Sequence, residues 1–196
     1  MSTLPIDERI VEKATELLGD VFEEHDIPQS HGLNHALSVL GNMRKAMELI
    51  DNSKPVFNRC FTLSLKLASL LHDADDRKYF DENSNNTTKI LEEALKEDEE
   101  LKKKESSKIV RRVVQMISYV SASSHGDSMT PETKNDNELL WVRHCDRLEA
   151  MGTIGVVRCY QYSTETDRVL FTAETPRPTT EEELWALVTP EKFANY

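Results

Sequence analysis

The chain has 196 residues, enough for one domain with a real core, and its hydrophobic (38%) and charged (30%) fractions suit a globular protein with well-solvated helices. The net charge of −11 argues against a nucleic-acid backbone as partner, because binding by counterion release needs a basic face. It leaves room for phosphorylated small molecules, which a metal and a few local cations can hold.

Glycine (6) and proline (7) are scarce and no segment alternates like a strand, so an all-α fold is expected, in a single domain over residues 1–196 with its core in about 10–162. Residues 6–25 read as an amphipathic helix with Ile10, Ala14, Leu17, Leu18 and Val21 on one face. Pro28-Gln29-Ser30 breaks it, and Ser30 is the expected N-cap of a second helix over about 31–50 that carries His31 and His35 one turn apart. A turn at 51–55 leads to a third helix over about 57–74, where Phe61, Leu65, Ala68 and His72 recur on one stripe and His72-Asp73 closes it. Residues 75–86 form a polar loop. A helix over about 87–101 comes next, and the charged stretch 96–105 reads as a solvated helical face, with Glu92–Lys96 and Glu100–Lys104 in favourable i, i+4 order. Helices are expected at 109–120 and at 139–162, the latter bent near Gly152 and Gly155, with a long loop at 121–137 between them. The tail, 163–196, is irregular apart from a short helix at about 180–188.

Cys60, Cys145 and Cys159 form no CxxC pair and are odd in number, as in a reduced intracellular protein. Met1–Arg9 has neither the basic nor the apolar region of a secretory leader, and no apolar run approaches the ~20 residues that cross a bilayer. A cytoplasmic protein without a membrane partner is expected.

Three helices thus offer ligand-type side chains to one interior: His35, His72 with Asp73, and Asp146 within Leu139–Leu148. A carboxylate beside a core stripe is costly to bury unless it is paired or holds a metal. Two imidazoles and two carboxylates suit Mn²⁺, Fe²⁺, Zn²⁺, Co²⁺ or, less well, Mg²⁺, and leave positions open for water and a substrate oxygen. His72 and Asp73 can converge on one ion only near a helix C-terminus, because neighbours on a helix diverge by about 100°. Taken singly, His72 is also a core histidine and Asp146 also a partner for Arg143 or Arg147. His31-Gly-Leu-Asn-His35 has the spacing of a zinc-protease helix but lacks the glutamate that would act as base.

The order H…HD…D, in His35, Leu70-Leu71-His72-Asp73 and Asp146-Arg147-Leu148, resembles the HD-domain metal-dependent phosphohydrolases. Ser30-His31, His72-Asp73-x-x-Asp76-x-Lys78, Ile117–Ser121 and Cys145–Gly155 further resemble their small nucleotide pyrophosphohydrolase branch, over roughly residues 10–178. The resemblance implies a helical HD bundle and one divalent metal, Mn²⁺ favoured, at His35, His72, Asp73 and Asp146. It also implies cleavage of a (deoxy)nucleoside triphosphate to monophosphate and pyrophosphate. Within that frame Asp76 orients or deprotonates the attacking water, or protonates the leaving group, while Lys78 and His31 offset charge on phosphate oxygens. Arg147 is a phosphate ligand or a helix-to-helix ion-pair partner, and Arg177 reaches the pocket mouth or stays a surface residue. His144 stands where the branch usually carries another aspartate. Two alternatives keep the scaffold: a di-iron oxygenase, which wants ligands beyond four, and a non-catalytic nucleotide-binding regulatory module. A cyclic-dinucleotide phosphodiesterase is disfavoured because no Gly-Tyr-Pro follows the His-Asp pair. A homodimer is expected only on the general habit of compact helical hydrolases.

Overall fold

A computed structural model describes residues 4–50, 58–121 and 130–187. The turn expected at 51–55, residues 122–129 of the 121–137 loop and the last nine residues lie outside that range. The described residues form an all-α fold without strands: α1 (Ile6–Glu24), α2 (Leu33–Leu49), α3 (Arg59–Leu71), α4 (Asn86–Ala94), α5 (Glu99–Ser118), α6 (Pro131–Asn135), α7 (Trp141–Leu148), α8 (Gly152–Glu165) and α9 (Glu181–Leu187). Short 3-10 turns at Leu95–Glu97 and Asn137–Leu140 lead into α5 and α7. No described helix is long and apolar enough to cross a membrane.

The third helix is the axis of the bundle. Phe61, Leu65, Ala68 and His72 are buried as the stripe requires, but so are Leu63, Leu67, Leu70 and Leu71 on its other sides. A helix apolar all round needs neighbours all round, and α3 packs on α5 and α2 most extensively, then on α1 and α7. Each fully buried leucine stabilises by roughly 1.5–3 kcal/mol relative to exposure, so this single helix carries a large share of the core. Asn58 starts it by accepting from Phe61 N at 2.9 Å. Lys66, the one charge between Cys60 and Leu71, escapes burial by reaching Glu8 Oε1 on α1 at 2.6 Å.

Four expectations are corrected. Ser30 does not cap the second helix: α2 begins at Leu33 with Gly32 as N-cap, so His31 lies in the preceding turn and shares no helical face with His35. The helix expected over 87–101 ends in the 3-10 turn, and Asp98 accepts from Glu100 N and Leu101 N to start a separate α5. That break diverts Lys96 from Glu92 to Glu93, while the Glu100–Lys104 pair survives at 3.4 Å. The supposed loop at 121–137 contains α6, capped by Thr130 with Pro131 at its first turn. Finally, 139–162 is not one bent helix. After Leu148 the chain turns, Gly152 takes φ +62°, and α8 sets off anew.

The buried core runs from Ile10 to Cys145. Helix α8 buries no residue, and Leu148, Met151, Ile154, Val156, Val157, Tyr160, Phe171 and Trp185 are all exposed along the C-terminal part.

Candidate metal centre

Two buried polar rings meet where α2 begins and α3 ends, against α7. His35 sits in the first turn of α2 and His72 is the C-cap of α3; their Nε2 atoms are 3.2 Å apart. His72 Nδ1 lies 2.9 Å from the Ser69 carbonyl, which can only accept. Nδ1 therefore carries the proton and Nε2 keeps its lone pair, the second-shell arrangement that prepares an imidazole for a metal. Asp73 Oδ2 lies 3.4 Å from His72 Nε2 and 3.8 Å from His35 Nε2. Asp146 Oδ1, from the second turn of α7, lies 3.2 Å from His35 Nε2 and 3.7 Å from His72 Nε2.

His35, His72 and Asp73 offer three ligand atoms within 4.8 Å of one another and can hold a metal ion. The spacing fits: an ion about 2.0–2.2 Å from each ligand puts neighbouring ligand atoms roughly 3.0–3.5 Å apart, whether they subtend right or tetrahedral angles. Burial alone is a poor account of the cluster. Burial opposes charge on His72, yet Asp73 and Asp146 outweigh it and raise the pKa of that ring. Burial likewise works against the Asp146 carboxylate, and His35 and His72 more than compensate, holding its pKa below the ordinary range. A cation shared by these imidazoles and carboxylates could satisfy them together.

Helix termination explains how adjacent residues converge. His72 still has helical dihedrals, but the chain leaves α3 there, and turn bonds from Ala74 N to Leu71 O and from Asp76 N to Asp73 O swing Asp73 back over the rings. The loop is pinned from its far side by Asp75, whose carboxylate accepts from Ser84 Oγ, Asn86 N (2.7 Å) and Thr87 N (3.0 Å) at the start of α4. Burial raises the Asp75 pKa, but these donors prevail and the net shift is downward.

The expected catalytic side chains line this loop and the His31 turn. Asp76 accepts from Lys78 N at Oδ1 (3.0 Å) and has Lys78 Nζ 3.5 Å from Oδ2. His31 Nδ1 lies 3.0 Å from both Ser30 Oγ and Tyr79 OH, and its ring is edge-on to His35 with centroids 6.3 Å apart. Ser30 spends its one proton on Glu165, so the Ser30–His31 contact makes Nδ1–H the donor and leaves Nε2 as acceptor. Burial lowers the His31 pKa, which favours this neutral form. The ring is thus better suited to taking up a proton than to offsetting charge, the role its position in the sequence suggested.

Arg147 is half-buried on α7, and His144 is exposed on the same helix. Arg177 is exposed in the segment before α9, and no described contact joins it to the cluster. Sequence reasoning missed Asp75, Tyr79, Arg158, Tyr162 and Glu165. Arg158 donates from Nε (3.2 Å) and Nη2 (2.9 Å) to the Ser30 carbonyl, and Tyr162 stands edge-on to His31 at 5.5 Å. No local signal marks these contacts, since they span up to 135 residues of chain.

No family model and no solved structure matches the chain. It is similar to an uncharacterized protein of Acanthamoeba polyphaga mimivirus, 29% identical over 192 residues, which are 93% of this chain and 73% of the viral protein.

Proposed function

We propose that this protein is a divalent-metal-dependent phosphohydrolase that cleaves (deoxy)nucleoside triphosphates to monophosphate and pyrophosphate. The observation that carries the reading is the convergence of His35, His72 and Asp73 within 4.8 Å, with Asp146 Oδ1 3.2 Å from His35, beside a loop that presents Asp76 and Lys78. The four side chains would hold one divalent ion, taken as Mn²⁺ on the resemblance to the HD-domain phosphohydrolases. When bound, the ion supplies a lowered pKa to water and offsets charge on the attacked phosphoryl group. Asp76 orients or deprotonates that water. Lys78, held near Asp76 but half-exposed, is free to swing its ammonium to a phosphate oxygen. His31 Nε2, which carries a lone pair, can take up a proton released as the water attacks.

Di-iron chemistry fits less well because it needs a second ligand set, and beyond the four ligands only His31, through Nε2, adds a candidate among the described residues. A regulatory module would bind nucleotide and metal without turnover.

Metal analysis together with pyrophosphate release over a nucleotide panel tests the proposal. Mn²⁺-loaded protein is expected to release pyrophosphate, and His72→Ala and Asp146→Ala to lose most bound metal and activity. Full metal retention in both variants refutes the ligand set. Loaded protein that binds nucleotides and cleaves none points to the regulatory module.

A further inference from the structure

A cleft of about 250 Å³ lies between α8 and the His31 turn, lined by Ser30, His31, Ala150, Gly155, Arg158 and Tyr162, with Cys159 on its wall. It adjoins the metal centre through His31, whose ring contacts both His35 and Tyr162. At this volume it is smaller than the roughly 300–1,000 Å³ that encloses a drug-sized ligand, so it suits one portion of a nucleotide rather than the whole.

The charge around it is unusual for a chain of net −11. Lys78 Nζ, from the loop after α3, and Arg168 Cζ, from just beyond α8, each stand 5.7 Å from the centre of the Tyr162 ring. Arg158 lines the same cleft; its two bonds to the Ser30 carbonyl leave three of its five N–H donors for a ligand. The facing carboxylates are engaged: Glu165 with Ser30, Asp76 with Lys78 and its backbone N–H. Two cations stand over the Tyr162 ring and a third, Arg158, lines the same cleft beside the candidate metal centre.

We propose that this cleft is the subsite for the pyrophosphate end of the substrate, with Arg158, Arg168 and Lys78 as its cations. The inference rests on the proposed phosphohydrolase reading. It assigns the chain's specificity for triphosphates over monophosphates to α8, which the core does not need for its burial. Arg158 would reach an oxygen of the β-phosphate while still holding the Ser30 turn, and Lys78 and Arg168, both near the Tyr162 ring, would meet the terminal phosphate.

Cys159 gives a direct readout, because it is the exposed cysteine, whereas Cys60 is half-buried and Cys145 is buried with its thiol pushed up to about 11 by burial and Asp146. The experiment follows the rate of Cys159 alkylation by mass spectrometry in metal-loaded protein, with divalent ion in excess of inorganic pyrophosphate, orthophosphate or uncharged nucleoside. Pyrophosphate is expected to slow alkylation several-fold, orthophosphate less, and nucleoside not at all. Arg158→Gln is expected to weaken the pyrophosphate effect about tenfold or more, as loss of a charge-assisted contact commands. Arg168→Ala, which removes the cation over the Tyr162 ring, is expected to weaken it a few-fold. Protection by nucleoside instead of pyrophosphate, no protection by pyrophosphate, or protection unchanged in both variants each overturns the inference. Hydrolysis without Cys159 protection refutes this subsite alone, and protection without hydrolysis refutes the phosphohydrolase reading alone.

Discussion

Asp75→Ala isolates the device that aims Asp73 and Asp76. The Asp75 carboxylate is partly buried and accepts from Ser84 Oγ, Asn86 N and Thr87 N, so it both caps α4 and ties the metal loop to it. Losing a helix-capping carboxylate costs about 1 kcal/mol, and stranding its remaining donors adds about 1–2 kcal/mol, since solvent reaches them in part. A total of about 2–3 kcal/mol corresponds to a fall in Tm of roughly 5–10 °C for a domain of this size. The sign of the pH dependence follows from the lowered folded pKa of Asp75. Its contribution is complete above the unfolded carboxyl pKa of about 3.9 and is lost as the pH falls through the folded value. The gap in Tm between wild type and variant, read by circular dichroism or calorimetry from pH 7 to pH 3, should therefore hold steady down to about pH 4 and then close. Metal affinity should fall as well, because Asp73 loses its anchor two residues away. A variant with wild-type Tm and wild-type metal affinity would refute the positioning role, and a gap that widens in acid would refute the electrostatic argument.

Metal binding should weaken as the pH falls, with the loss setting in above the ordinary imidazole value of about 6.5, because protons compete for His72, whose pKa the neighbouring carboxylates raise; titration calorimetry across pH 5–8 reads this, and a flat affinity would contradict it. Gly155→Ala should disrupt the turn into α8, since a Cβ there would lie 2.1 Å from the Ala150 carbonyl oxygen; the expected result is accelerated proteolysis within 149–165 with the core's Tm nearly kept. Arg59→Ala removes a surface bridge to Asp7 and Asp98 that is 42% exposed, so the loss should stay under about 1 kcal/mol and shrink further in high salt, as denaturant titration would show. The expected homodimer has a surface to form on: within α8 only Arg158 and Glu165 are charged and both turn to Ser30, so two copies can meet on Ile154, Val157 and Tyr160 without like-charge repulsion. Val157→Asp should shift sedimentation from dimer to monomer, and a wild-type monomer would remove the expectation.

How much of this was legible in the sequence differs between residues. The stripe through Phe61, Leu65, Ala68 and His72 was readable because a helical period is a local property, and His72-Asp73 could be placed at a helix end from the polar loop that follows. Asp146 stood out as a carboxylate within Leu139–Leu148, in the order that follows His35 and His72-Asp73. The break at Asp98 and the reversal at Gly152 were harder, since a cap residue inside a charged run looks like one more solvated side chain until its N–H partners are in place. His31 was misplaced for a related reason: the i, i+4 spacing exists in the sequence whether or not the helix has yet begun.

By itself, then, the sequence determined the helical class, the central helix and the residue types of a metal site, because each follows from period and chemistry within a few turns. Only the tertiary structure decided that His35 and His72 meet at 3.2 Å, that Asp75 caps a helix eleven residues on, and that Arg158 and Glu165 reach back to Ser30. Those contacts depend on how helices pack and where the chain reverses. Side-chain convergence over more than a hundred residues is set by that packing, which leaves no periodic trace along the chain.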